Sequence, residues 1–216
     1  MPREHSITVY SYDELSEKAK EKARNWYRNV NNDDNSMFEY TLHDAAQIAE
    51  YLGITLKTDS GKTIQVPHIM FSGFWSQGDG ASFAGKWFAR NVSVEKLKEH
   101  APKDETLHRI VESLAQVAER YPQSTVDITR TDNYYAHSGT MDLNDWEADT
   151  DSSEDDEFLL KTFPWQELRQ TFREFADWIY NQLEEQYNAA NADDYVAEEI
   201  VHNEYEFLED GTRFDD

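Results

Sequence analysis

IQVPHIMFSGFWSQGDGASFAGKWFAR, residues 64–90, reads as two β-strands joined at Gln77-Gly78-Asp79-Gly80. The first arm sets Ile69, Phe71, Gly73 and Trp75 on one face and Met70, Ser72 and Phe74 on the other. The second sets Ala81, Phe83, Gly85, Trp87 and Ala89 against Ser82, Ala84, Lys86, Phe88 and Arg90. Alternation of period two around a Gly-Asp-Gly turn is a strong hairpin signal. Large aromatics on both faces predict that both are at least partly covered. Glycine inside an arm weakens it unless a ring or another backbone comes close, or a bulge forms, so Gly73 and Gly85 predict such features. The hairpin is expected at the centre of the sheet.

Working outward, Ser6–Tyr10 predicts an opening strand. Ser11 or Asp13 caps a helix whose apolar stripe is Leu15, Ala19, Ala23, Trp26 and Tyr27. Lys18, Lys20, Lys22 and Arg24 make this helix the most basic segment, either a solvated face or an internal partner for the acidic end of the chain. A polar cluster at 29–35 predicts a loop, and Ser36–Leu52 a second helix closed by Gly53. Strand 54–57 and a turn at 59–62 lead into the hairpin, where Pro67 predicts an edge or bulge. Two helices follow, 92–100 capped by Ser93 and 103–121 with Leu107, Ile110, Val111, Leu114 and Val117 inward. Strands are predicted at 124–130 and 134–143. This gives an α+β fold, helices packed on one antiparallel sheet built on the central hairpin, with acidic C-terminal helices added.

The predicted organisation is a core domain at 1–143, an acidic linker at 144–157 and a helical region at 158–216. NDWEADTDSSEDDE (144–157) has no basic residue, a composition that favours a loosely held linker. Beyond it, Leu168, Phe172, Phe175, Ala176, Ile179, Leu183 and Tyr187 form the stripe of a long helix, with Pro164 in its first turn. A last helix is predicted at 193–207.

The strings FSGFWSQGDGASF (71–83), YSYDELSEKAKEKARNWYR (10–28) and NEYEFLEDGTRF (203–214) resemble a family of small proteins encoded by phages and prophages, often labelled antitoxins of toxin–antitoxin stability systems. The resemblance covers nearly the whole chain and implies a phage context. It supplies no catalytic residues.

Among 216 residues there is no cysteine, which excludes disulfides, thiol chemistry and thiolate zinc sites. No 18-residue apolar run or export signal is present, so the expected location is the host bacterial cytoplasm, away from membranes. The net charge of −24 is uneven: −3 over residues 1–130 and −21 over 131–216. Solubility of a small domain needs only roughly 2–8 charges. Such a field opposes direct nucleic-acid binding and attracts basic partners.

Catalytic signals are weak. His68, Asp79 and His137 are possible metal ligands without a recognisable spacing. Gln77–Gly80 lacks the Gly-Lys-Ser/Thr of a phosphate loop, and Ser72, Ser76, Ser82 and Ser138 lack nucleophile-elbow spacing. Trp75, Tyr134 and Tyr135 could stack bases, but the surrounding charge is of the wrong sign. No cofactor is expected and the chain reads as a non-enzyme.

The acidic residues Asp145, Glu147, Asp149, Asp151, Glu154, Asp155, Asp156 and Glu157, with Glu184, Glu185, Asp193, Asp194, Glu198 and Glu199, are the predicted partner-binding surface. The expected function is an anti-defence inhibitor, of anti-CRISPR or anti-restriction type, whose carboxylates imitate nucleic acid in a basic groove of a host defence complex. An antitoxin that neutralises a cognate toxin is the alternative. A metal-dependent nucleotide-processing enzyme is the third reading.

Overall fold

A computed structural model describes residues 6–32, 35–58, 69–131, 135–147 and 161–215. In chain order its elements are β1 (Tyr10–Ser11), α1 (Glu17–Asn32), α2 (Glu39–Tyr51), β2 (Leu52–Leu56), β3 (Ile69–Ser72), β4 (Gly80–Phe83), β5 (Gly85–Val92), α3 (Val94–His100), α4 (Glu105–Arg120), β6 (Thr125–Arg130), β7 (Met141–Glu147), α5 (Trp165–Ala190), α6 (Asp193–His202) and β8 (Glu206–Phe207). The fold is α+β with antiparallel sheets. Among the described residues no helix is long and apolar enough to cross a membrane. The chain forms two compact units, a larger one at Glu39–Leu183 and a smaller one made of Met1–Phe38 with Glu184–Asp216.

The larger unit holds a four-stranded sheet in the order β2-β5-β6-β7. In β5 the predicted alternation holds: Gly85, Trp87 and Ala89 are buried while Lys86, Phe88 and Arg90 are not. Trp87 donates its indole N–H to the Leu52 carbonyl at 3.0 Å and meets Phe172 of α5 edge-on, ring centres 6.2 Å apart. The inward stripe of α4 is Leu107, Ile110, Val111, Leu114 and Val117, all buried. The buried stripe of α5 includes Leu168, Phe172, Phe175, Ala176, Ile179 and Leu183. Burying each such large side chain contributes about 2–3 kcal/mol, which fixes both helices.

The hairpin forms, but it is not the centre of the main sheet. β3 and β4 make their own two-stranded sheet with Ile69 opposite Phe83 and Ser72 opposite Gly80. At Ala84 the chain changes partners: its carbonyl accepts from Lys57, and β5 then pairs with β2 and β6. Gly85 permits this change, because a Cβ there would lie 2.4 Å from the Thr55 carbonyl oxygen. Close backbone approach therefore explains this glycine.

Other boundaries move for local reasons. Ser36–Leu52 divides into a 3-10 turn, α2 and the first residue of β2. Gly53, predicted to end the helix, instead sits at φ +79 at the irregularity in β2–β5 register. Residues 135–140 are not strand: His137 Nδ1 accepts from Gly139 N–H at 2.8 Å and caps a 3-10 turn. β7 then runs to Glu147 against β6, so residues 144–147 belong to the sheet and not to a linker. The rest of the predicted linker, 148–157, lies outside the described residues.

The smaller unit joins pieces far apart in sequence. Tyr12, Leu15, Ala19 and Ala23 are buried with Val196, Ile200 and Phe207. Tyr10 pairs with Phe207, and Ser11 with Glu206. This replaces the predicted strand 6–10, and it ends the predicted helix 193–207 at His202 so that β8 can form. Residues 6–38 therefore group with 184–215, not with the residues up to 143. The basic face of α1 serves this joining. Lys22 reaches Asp210 at 2.7 Å, and Arg24 and Arg28 both pair with Asp193.

Candidate binding groove

Within the smaller unit, the residues after β1 turn through a 3-10 segment, Tyr12–Glu14. Glu14 anchors it by accepting from the Ser11 backbone N–H at 2.8 Å and its hydroxyl at 2.9 Å, and these bonds hold its carboxyl below the usual range. The turn presents Tyr12 and Asp13 toward α6. Tyr12 is buried and accepts from Arg24 at 2.8 Å, which fixes its ring.

Between the turn and α6 lies an open groove of about 700 Å³, lined by Tyr12, Asp13, Ala197, Glu198, Glu199, Val201 and His202. A second hollow of about 240 Å³ shares Tyr12, Asp13 and Val201 and extends past Ile200 to Glu204, Tyr205 and Glu206. The shared stretch is apolar on one side: Val201 remains 46 % exposed beside the Tyr12 ring. Both ends carry carboxylates. Among the described residues Asp13, Glu198, Glu204 and Glu206 have no ion pair. Glu204 sits at φ +54, a left-handed conformation that costs a non-glycine residue roughly 1–2 kcal/mol and that turns the chain from α6 into β8.

Glu199 differs from its neighbours because Tyr27 donates to it at 3.4 Å. Burial, with the negative charge of Glu199 second, pushes the Tyr27 phenol up to about 12 from 10.0. The folded state thus holds this proton more tightly than the unfolded chain. Its contribution to stability is whole below pH 10 and is lost as pH rises through 12. Tyrosine-ring ¹³C NMR titration should show one resonance titrating near 12 that vanishes in Tyr27→Phe and moves down in Glu199→Gln. A Tyr27 resonance titrating at 10 in the native protein would refute this environment.

The predicted acidic residues scatter. Glu198 and Glu199 line the groove, Asp194 is exposed on α6, and Glu184 and Glu185 lie on the last turns of α5. Asp193 is neutralised by Arg24 and Arg28. Asp145 and Glu147 are in β7, where Glu147 pairs with Lys86 at 3.2 Å and holds that ammonium above its usual range. Asp149, Asp151, Glu154, Asp155, Asp156 and Glu157 lie outside the described residues. Asp13, Glu204 and Glu206 line the groove and lie outside the predicted partner surface. No local sequence signal gathers them, since only β1–β8 pairing does so.

The other candidates have local duties. Asp79 accepts from Trp75 N–H at 2.9 Å and Ser76 N–H at 2.6 Å, closing the hairpin loop, and His137 caps its turn. His68 lies outside the described residues, among which no group of three or more His, Cys, Asp or Glu could hold a metal ion. The hairpin aromatics divide: Phe83 and Trp87 are fully buried, Phe74 stacks on Tyr180 at 5.6 Å, and Trp75 is 79 % exposed with Tyr135 exposed as well.

No curated protein and no solved structure matches the chain. One family model does, over residues 37–193, and its description is a domain of unknown function (DUF8835).

Proposed function

We propose, for a chain that belongs to the DUF8835 family, a non-catalytic inhibitor encoded by phage or prophage that takes up a basic, nucleic-acid-binding protein of a host defence complex. The groove residues fall outside the matched span, so the reading rests on them and on charge. One observation carries it: in a chain of net charge −24, four carboxylates without an ion pair border one continuous groove in the smaller unit. Several acids elsewhere are met by cations, as in Arg169–Asp142, Arg120–Glu167 and Lys98–Glu112. A groove that keeps its acids unneutralised suits a lysine- or arginine-rich surface, with fast and salt-sensitive association.

The test compares the protein with a variant carrying Asp13→Asn, Glu198→Gln, Glu204→Gln and Glu206→Gln. Both are immobilised in lysate from bacteria carrying restriction and CRISPR systems, and bound proteins are eluted with salt or with competing duplex DNA. The expected result is capture of a nucleic-acid-binding defence protein that DNA displaces. Four exposed pairs at about 0.2–1 kcal/mol each, about 0.8–4 kcal/mol together, predict a loss of roughly 4- to 800-fold in affinity for the variant. Equal capture by both proteins would overturn the reading. A small captured protein that ignores both DNA and salt would favour an antitoxin instead.

A further inference from the structure

We infer that the groove is a peptide site: it receives an extended segment of the partner in which an apolar side chain is flanked by two cationic ones. This deepens the proposed binding of a basic protein and rests on it. The argument comes from the order of chemistry along the groove. At one end stand Glu198 and His202; at the other, Glu204 and Glu206; Asp13, Tyr12 and Val201 belong to both hollows. The middle is therefore partly apolar and the ends are anionic.

An imitation of a nucleic-acid backbone has no use for an apolar centre, because a phosphate row is charged throughout. Here Val201 on the last turn of α6 keeps nearly half of its surface in water beside a fixed aromatic ring. An apolar side chain laid there removes Val201 from water against the already buried Tyr12 ring, while ends of opposite charge set the register. The chemistry thus defines the ligand: lysine or arginine, one apolar residue or two, then lysine or arginine. Acidic or uniformly charged segments do not satisfy it.

The probes are fluorescently labelled peptides of ten residues, one with a Lys-Leu-Lys centre, one with Lys-Gly-Lys, and one with Glu-Leu-Glu. Binding is read by polarisation to the full chain at low salt. The expected result is tightest binding of Lys-Leu-Lys, about 10-fold weaker binding of Lys-Gly-Lys and none of Glu-Leu-Glu. Val201→Asn, a change at an exposed position, should erase the leucine preference, bringing Lys-Leu-Lys to the affinity of Lys-Gly-Lys. Glu204→Gln with Glu206→Gln should weaken both cationic peptides. Far-UV circular dichroism of each variant confirms that it is folded. Equal affinity for the two lysine peptides, or binding of neither, overturns the peptide inference. If peptides fail while the captured partner still depends on the four carboxylates, only this inference falls. If that dependence is also absent, the proposed function falls with it.

Discussion

Trp87→Ala is expected to lower the unfolding free energy of the larger unit by about 4–8 kcal/mol, because two losses coincide. Trp87 is fully buried in the middle of β5, opposite Ile54 on one side and Val126 on the other. Removing the indole leaves a void that Phe172 and α4 can fill only by moving, at a cost of about 3–5 kcal/mol. It also leaves the Leu52 carbonyl, which accepts from the indole at 3.0 Å, without that donor, for about 1–3 kcal/mol more. Trp87→Phe separates the terms. It keeps much of the ring contact and loses the hydrogen bond, so it should cost about half as much. Urea unfolding followed by far-UV circular dichroism measures both. A domain stable by about 5–15 kcal/mol would be left marginal by the alanine variant. A loss below about 1.5 kcal/mol would show that Trp87 does not organise this core.

The residues that make such predictions possible were readable from the chain where signal and partner lie close together. Trp87 alternates with glycine and alanine over a few residues, and α4 and α5 carry apolar stripes several turns long. Both patterns are local, and burial follows them. Partner choice was not local. Ala84 looks like any other residue of a strand, yet the chain leaves β3 there and joins β2 and β6, a change that depends on Thr55 coming within contact of Gly85. Gly53 gave a correct signal for a special backbone and the wrong element, since a helix end and a bulge both use positive φ. β1 and β8 have two residues each, too short to show any period, and they meet across most of the sequence. For the same reason Asp13 could be read as a helix cap, although it belongs to a groove with Glu198 and Glu206.

Charge was readable as a sum and misleading as a map. The C-terminal excess of carboxylates predicted rows of exposed anions, but several are spent inside the fold. Asp193 holds two arginines of α1, and Asp210 accepts from Lys22 and from Thr212, which keeps its carboxyl far below the usual range. Lys22, Arg24 and Arg28 of α1 thus draw the chain's end onto its start. The set around the groove is among those left for a partner. Exposed pairs of this kind contribute little singly, so the joining of 6–38 with 184–215 must rest mainly on the buried cluster around Ala19, Ile200 and Phe207.

That cluster has one position where a single methyl group should be decisive. Gly211→Ala is expected to destabilise the smaller unit by about 3 kcal/mol or more, combining a backbone cost with an overlap that has no soft neighbour. Gly211 is buried at φ +81, where an alanine costs roughly 1–2 kcal/mol. Its added Cβ would lie 2.1 Å from the Ala19 carbonyl oxygen and 2.8 Å from the carbonyl carbon. These are backbone atoms in the first turns of α1 and cannot swing aside. The turn must lift away, taking Asp210 and Thr212 from Lys22 and loosening β8 from β1. Gly78→Ala is the control. Its φ of +104 is equally unsuited to alanine, but the nearest atom to its Cβ is Tyr135 Cδ1 at 3.9 Å, so only the backbone cost applies there. Hydrogen exchange read by mass spectrometry should show Gly211→Ala losing protection at 17–27 and 194–208 while β5 and β6 keep theirs. Binding of the lysine peptides should weaken in parallel, because β1–β8 pairing is what brings Asp13 to α6. Wild-type protection over those segments would mean that the contact with Ala19 does not hold the unit together, and the groove would then need another source of its shape.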